Sequence, residues 1–482
     1  MLSGMQRLQS NVEQNDGDFV KVDKMHTPVS HKSKLLHTKT KANYNANNAN
    51  QAASGGKGRS SQKKGASQYQ RRNYDFLHLP SITIKSTWPS LFQVDFRDLA
   101  QLTLKTLPAV SEFASCGSYN TYNPLYDSVN LKKTAALEDH AASGDLKVTS
   151  VMKDPFIAQL VNSKAAQIYT TDVALSQLMV AIRSQLSWDL EVIKNENGLF
   201  ISHRDGVFDQ YSVNETSADL PTEEENKNNC LWKEVTDINR DFAKQIMTSE
   251  VTACEFPSPF PDDNPEKINR MYRYRKFTLS DGQVLLVRTE VHGVQTNREK
   301  PQLLNAYAVN EWCNRTPLTN RWRSKLAASP GYALTEDMKN NNYRLSKWGV
   351  QAVLAGVDLV KIGYVSRRKM DDINSGHVIL GVQNFSLETF KKQIMLNEQN
   401  MWAVVEYFVK LLSKEENGHY ILMKDPLKGF IRVYRVPESE VEAMETQTLS
   451  KEESESESES ESEYSEYSEY SDYSGYSYSD EE

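Results

Sequence analysis

The stretch that decides the fold is TDVALSQLMVAIRSQLSWDLEVIKNENGLFISHR, residues 171–204. In its first half Leu175, Leu178, Met179, Ile182 and Leu186 recur at i, i+3, i+4, i+7 and i+11. Apolar side chains at that period line one face of a helix. The spacing predicts a helix over 171–188, with Thr170 or Thr171 accepting from its first free N–H groups. The second half switches to an extended pattern: LEVIK, the turn Asn195-Glu196-Asn197-Gly198, then LFISHR. The Asn-Gly pair favours the positive φ that a tight hairpin turn requires.

The same mixture continues outward. PSITIKS (80–86) alternates like a strand. MYRYRKFTL and QVLLVRTEV flank Ser280-Asp281-Gly282 as a second hairpin, and LNAYAVNEW near Tyr307 is extended. Residues 345–357 have a helical period; DLVKIGYVSR and HVILGVQNF are extended. Asn397 caps a helix whose Met401, Val404, Val405, Phe408 and Leu412 share a face. A last hairpin, HYILMK and FIRVYRV, turns at Asp425-Pro426-Leu427-Lys428-Gly429. No βαβ rhythm is visible, so the expected class is α+β, one large domain over 74–438.

The flanks differ from this core. Of 482 residues only 39% are hydrophobic, so part of the chain falls outside any packed core. Residues 1–73 carry 13 Lys/Arg against 4 Asp/Glu, whereas 452–482 carry 13 Asp/Glu and no Lys or Arg. The net charge of −8 therefore describes no single part of the molecule. The first flank reads as a disordered basic arm, with Lys57, Arg59, Lys63, Lys64, Arg71 and Arg72 set among Gly, Ser and Gln. Such an arm either holds phosphates, releasing counterions, or is simply solvated. The second flank, 439–482, reads as a disordered acidic tail rich in Ser, Glu and Tyr. Ser454, Ser456, Ser458 and Ser460 each have Glu three positions on, the preference of a casein kinase 2 type kinase. Phosphorylation would add about −1.5 to −2 charge per site; the alternative is an unmodified solubilising tail.

The catalytic search excludes more than it finds. No phosphate-binding G-x-x-x-x-G-K-[ST], no dinucleotide fingerprint, no G-x-S-x-G and no H-E-x-x-H occurs. Four cysteines, Cys116, Cys230, Cys254 and Cys313, form no C-x-x-C pair, so reduced thiols fit better than a zinc ribbon or a disulfide scaffold. Nothing in the sequence calls for a cofactor or metal. There is no secretory signal and no run of about 18 apolar residues to span a membrane. Asp189 and Glu191, at period two, share a strand face; such a pair could help hold Mg²⁺ in a nuclease, or simply be solvated. Seven tryptophans could stack on bases, but Trp188 and Trp402 adjoin apolar faces and read as core. Between Ser202 and Leu231 the periodicity vanishes. Asp205, Asp209, Glu215, Asp219, Glu223, Glu224 and Glu225 make this long loop acidic, either an ordinary insertion or a competitor of a polyanion for basic groups.

The residues then carry a resemblance. TTDVALSQLMVAIRSQLSWDLEVIKNENGLFISHRD with FDQYSVNETS, YRYRKFTLSDGQVLLVRTEVHGV, VNEW (309–312), MKNNNYRLSKW, AVLAGVDLVKIGYVSR, GHVILGVQNF and HYILMKDPLKGFIRVY resemble the D subunit of eukaryotic translation initiation factor 3, in the family's order over about 80–436. The resemblance implies a cup-shaped mixed α/β domain similar to the decapping-exonuclease fold, without its chemistry. It implies a cytoplasmic, non-enzymatic factor that binds the 5′ cap of a subset of mRNAs. Its partners would be the other subunits of the factor, the 40S ribosomal subunit and capped mRNA. The family's cap-contacting positions match Asp172, Gln185 and Leu186 on the 171–188 helix, and Thr236, Asn239 and Arg240 in VTDINRDF.

Asp172 either caps its helix or accepts from guanine N1–H and N2–H₂. Thr236 and Asn239 are either solvated polar positions or cap contacts. The period of Leu231, Val235, Ile238 and Phe242 is helical, but the family places that segment as a strand. The family's RNA gate matches Val207, Phe208, Asp209, Gln210, Tyr211, Ser212, Val213, Asn214, Glu215, Thr216, Ser217, Ala218, Asp219, Leu220 and Pro221, within the acidic loop.

The sequence departs from the family in two places. Leu186 and Arg240 stand where members usually carry Tyr and His, and residues 1–73 lack the family's Asn-Pro-x-Gly-Trp-Gly-Pro docking motif. A second reading therefore stands beside the first: a non-catalytic paralogue that keeps the fold as an interaction or regulatory subunit, with weak or no cap binding.

Overall fold

The computed structural model describes residues 80–138, 149–204, 230–260, 270–296, 300–312, 321–329, 331–370 and 372–441. In chain order the strands are β1 (Ser90–Asp95), β2 (Ala109–Tyr122), β3 (Ala135–Leu137), β4 (Ile168–Thr171), β5 (Asp189–Asn195), β6 (Gly198–Ser202), β7 (Met247–Ala253), β8 (Met271–Thr278), β9 (Val284–Val291), β10 (Gly293–Thr296), β11 (Pro301–Asn310), β12 (Leu359–Arg367), β13 (His377–Ser386), β14 (Gly418–Lys424) and β15 (Phe430–Val436). The helices are α1 (Phe96–Leu99), α2 (Pro155–Asn162), α3 (Asp172–Met179), α4 (Cys230–Gln245), α5 (Trp322–Lys325), α6 (Tyr332–Asn340), α7 (Asn342–Ala355), α8 (Leu387–Gln393) and α9 (Glu398–Leu412).

These strands form one 15-stranded sheet, ordered β1-β15-β14-β5-β6-β4-β9-β8-β2-β10-β11-β12-β13-β3, with β7 added on β2. The expected hairpins are present. In β5–β6, Asn195 faces Gly198, Asn195 Oδ1 accepts the Asn197 N–H at 2.9 Å, and Gly198 takes φ +143°. β8–β9 and β14–β15 pair likewise.

α7 joins the two halves of the sheet. Its Tyr343, Val350 and Leu354 pack in one core with α3, α9 and the inward residues of β5, β9, β14 and β15. Its Leu345, Trp348, Ala352 and Ala355 pack in a second core with β11, β12 and β13. A helix buried on all sides must satisfy its own ends, because no water reaches them. At its C-terminus Arg275 donates to the Leu354 carbonyl at 2.6 Å and to that of Val353 at 3.3 Å. Arg273 donates to the carbonyls of Ala355 and Gly356. Glu112 pairs with both guanidinium groups, at 2.8 and 2.7 Å. Gly356 ends the helix at φ +63°, and a Cβ there would lie 2.5 Å from the Arg275 guanidinium. Glycine thus serves both the left-handed turn and the approach of the arginine.

Three expectations need correction. The helix predicted over 171–188 ends at Met179 and is followed by a 3-10 turn, Ala181–Arg183. Arg183 is drawn to Asn342 Oδ1, Ser346 Oγ and the Ile394 carbonyl, and the Trp188 indole donates to Ser184 Oγ. These contacts outweigh a segment whose Val180 and Ile182 are modest helix formers. Residues 80–86 form no strand; Ile82 and Ile84 alternate because they pack on Trp88 and Tyr434. The missing βαβ rhythm does not hold throughout: β11 and β12 run parallel across α5–α7, and β4 runs parallel to β6 and β9. The gate residues 207–221, the serines at 454–460 and both flanks lie outside the described residues.

The closure of α7 gives a direct test. Arg275→Met should cost about 1.5–3 kcal/mol, the worth of hydrogen bonds to a charged donor. Glu112→Ala, which removes only a half-exposed carboxylate, should cost under about 1 kcal/mol. Urea unfolding midpoints at unchanged slope would read both.

Candidate functional site

Asp172 opens α3 directly after β4, all of whose residues are buried. Thr171 Oγ1 accepts the Ala174 N–H at 3.2 Å, so the capping duty falls to Thr171. The Asp172 carboxylate is left to accept from Val173 N–H through Oδ1 at 2.9 Å and from Glu290 N–H through Oδ2 at 3.0 Å. Asp172 is only 4% exposed. Burial, then the nearby negative charge of Glu290, pushes its carboxyl up to about 7. Glu290 is raised by the same burial, but Arg270, Arg288 and His292 outweigh it and hold the group below its ordinary value. His292 is pushed down to about 4, by burial first and then by Arg270.

A second buried ion pair supports this cluster. Arg288 donates to Asp154 Oδ2 at 2.9 Å, and both side chains are almost fully enclosed. Asp154 also caps α2 through Phe156 and Ile157 N–H and accepts the Tyr274 hydroxyl at 2.9 Å. One carboxylate thereby fixes β8, β9 and the start of α2.

The other matched positions lie on α4. The helical period of that segment is the correct one, and the family's strand placement is not: Cys230–Gln245 is continuous helix, with Leu231, Val235, Ile238 and Phe242 buried. Thr236, Asn239 and Arg240 are buried as well, so they are not solvated positions. Thr236 donates to the Trp232 carbonyl at 2.9 Å. Arg240 lies 3.1 Å from Asp237 and 3.4 Å from Asp241. Asn239 Oδ1 accepts the Ala308 N–H of β11 at 3.0 Å.

Asp172 and Asn239 thus meet through the sheet. Asn305 of β11 donates to the Glu290 carbonyl at 3.3 Å and to the Tyr307 hydroxyl at 3.2 Å, and accepts the His292 N–H at 3.1 Å. Tyr307 stacks on Trp348 with centroids 4.9 Å apart and planes 8° from parallel. Gln185 and Leu186 sit among other neighbours. Gln185 is exposed and its carbonyl accepts from Lys424, while Leu186 is half-buried.

Arg288, Glu290 and His292 were missed as site residues. Their signal was present: three polar side chains at period two, one face of an otherwise apolar strand. The Asp189 and Glu191 pair is engaged elsewhere. Arg204 binds Asp189 at 2.6 Å, and His419 Nδ1 lies 4.0 Å from Glu191. Among the described residues no group of three or more His, Cys, Asp or Glu is arranged to hold a metal ion. Among them, too, no helix is long and apolar enough to cross a membrane.

Comparison with known proteins places this geometry in context. The family described as eukaryotic translation initiation factor 3 subunit 7 (eIF-3) matches residues 4–435. The D subunit of eukaryotic translation initiation factor 3 from Bombyx mori is 36% identical over 374 residues, covering 75% of this chain and 67% of that protein. The D-2 subunit from Drosophila willistoni is 33% identical over 398 residues, covering 80% and 71%. Among solved structures, Scheffersomyces stipitis Rai1 in complex with (3'-NADP)+ and calcium ion gives a TM-score of 0.45 at 15% identity, over 73% of this chain and 94% of that one. K. lactis Dxo1 in complex with manganese gives 0.40 at 10% identity, over 73% and 96%.

The cluster titrates in opposing senses. The Asp172 carboxyl is raised from 3.8 to about 7, so its contribution to stability is full below about pH 4 and is lost as pH climbs through about 7. The His292 imidazole is depressed from 6.5 to about 4, so its contribution is present above about pH 6.5 and is lost as pH falls through about 4. Asp172→Asn should therefore gain in urea midpoint relative to the parent as pH rises from about 4 to about 7. Midpoint curves for the two proteins that stay parallel across that range would show that Asp172 does not titrate there.

Proposed function

Because the chain belongs to the eukaryotic translation initiation factor 3 subunit 7 family, whose relatives are named as the D subunit of that factor, we propose that it is a non-enzymatic cytoplasmic component of the factor and binds the 5′ cap of a subset of mRNAs. The other subunits, the 40S ribosomal subunit and capped mRNA are its partners in this reading. Asp172 carries the argument. An ionised carboxylate offers about four acceptor directions, and two are used by Val173 and Glu290 N–H groups. The remaining two suit the adjacent N1–H and N2–H₂ donors of guanine. Thr236, Asn239 and Arg240 on α4 form the facing wall, joined to Asp172 through Glu290 and Asn305. Gln185 and Leu186 are the members that a ligand reaches without unpacking the core. Ser454, Ser456, Ser458 and Ser460 are the proposed phosphate acceptors for a casein kinase 2 type kinase.

Only the ionised form of Asp172 accepts from both guanine donors. Affinity for a cap analogue should therefore rise with pH as the carboxyl ionises around about pH 7. Asp172→Asn should weaken binding and abolish that rise, measured by fluorescence titration between about pH 6 and about pH 8. Retained affinity with an unchanged pH profile would remove Asp172 from the site.

A second reading is favoured by the burial of Thr236, Asn239 and Arg240, each with an internal partner. In that reading the chain keeps the fold as an interaction subunit with weak cap affinity. Leu186→Tyr separates the two. If the wall is a cap site lacking one ring, restoring it should add stacking of about 1–3 kcal/mol, roughly 5- to 150-fold in affinity. No gain, with normal co-purification of other factor subunits, would favour the interaction reading.

A further inference from the structure

The two ends of the described chain are fastened to each other. Glu440 Oε1 accepts the Thr87 hydroxyl at 2.7 Å, and Oε2 accepts the Trp88 indole N–H at 2.7 Å and lies 3.0 Å from Lys85 Nζ. Beneath this clamp Ile82, Ile84 and Val441 pack on one apolar cluster with Trp88, Tyr434 and Val436. β1 pairs with β15, and Arg435 N–H donates to the Pro89 carbonyl at 3.1 Å. Residues before 80 and after 441 therefore leave the folded body at one corner.

What leaves there is oppositely charged. Residues 1–73 carry 13 Lys/Arg against 4 Asp/Glu, and 452–482 carry 13 Asp/Glu with no Lys or Arg. Arg72 stands eight residues before Pro80, and Glu452 eleven after Val441. A chain spans up to about 3.3–3.6 Å per residue, so either flank reaches the other from the shared corner. Segments tethered at neighbouring points meet at an effective concentration of order mM for short tethers. Many opposite charges at that concentration outcompete dilute external ions and polyanions at moderate salt.

We propose that the acidic tail, 452–482, is the resident partner of the basic arm centred on Lys57–Arg72, so that an RNA must displace the tail to reach the arm. This inference stands apart from the cap site, and its test uses no RNA. Full-length protein is treated with a carbodiimide, which joins a lysine amine to a carboxylate in direct contact. The joined peptides are mapped by mass spectrometry from an equal mixture of ¹⁴N- and ¹⁵N-labelled chains.

The expected result is bonding of Lys57, Lys63 or Lys64 to tail carboxylates within one isotopic chain. The yield should fall about tenfold between about 50 mM and about 500 mM salt, as screening shortens from beyond 10 Å to a few Å. Replacing Arg59, Arg71 and Arg72 by Gln leaves the reactive lysines in place and should lower the yield at low salt. Absence of arm–tail products at low salt, products only between differently labelled chains, or a yield indifferent to both salt and the arginine changes would each overturn the proposal. Lys85–Glu440 products, formed within the folded body, report in every sample that the reagent worked and the clamp is intact.

Discussion

The fold rests on how one buried helix is ended. Helix termini leave carbonyl groups without partners, and solvent usually supplies them. α7 has no solvent at its C-terminus, so two arginines of β8 take that place, and Glu112 holds the arginines together. Positive charge at a helix C-terminus also complements its dipole. Both cores share α7, so this closure sets the distance between the two halves of the sheet. β8 is thereby committed twice, to its neighbours in the sheet by backbone bonds and to the helix by its side chains.

The polar cluster around Asp172 obeys the same constraint with a different balance of charge. Buried charges are tolerated when they are paired and hydrogen-bonded, and Asp154 with Arg288 meets that condition through four elements. Asp172 meets it less completely. It lies near Glu290, which holds the stronger claim on the surrounding cations, and so Asp172 is the member that retains a proton most readily. A carboxyl in that condition suits recognition of paired N–H donors, because ligand binding and ionisation reinforce each other.

How much of this was legible in the sequence depends on the range of the interaction. Local patterns were read correctly: Asn195-Gly198, the Asn397 cap and the apolar face of α9 are set by neighbours a few residues apart. The period of Leu231, Val235, Ile238 and Phe242 was a better guide to α4 than the family's strand placement, because four buried contacts at helical spacing leave little choice. The overrun of α3 had a remote cause, since Arg183 is held by residues of α7 and by carbonyls near Ile394. Asp172 was found only through resemblance; its partner Glu290 lies in a distant segment. Arg288, Glu290 and His292 could have been found from their alternation, whereas the pairing of Glu440 with Lys85, Thr87 and Trp88 had no local trace at all.

The pairing of the first strand with the last has a consequence for synthesis. β1 hydrogen-bonds to β15, with Asp95 opposite Phe430, and to no other strand. At a ribosomal rate of about 5–20 residues per second, β1 waits on the order of tens of seconds for its only partner to be made. Non-local pairing of this kind raises contact order and slows folding. During that interval Leu91 and Phe92 have no sheet to pack against, and an unpaired strand is a template for wrong association. Asp95 and Arg97, which bond to each other across the start of α1, fold locally and place charge beside the waiting strand, a device that needs nothing from the far end of the chain.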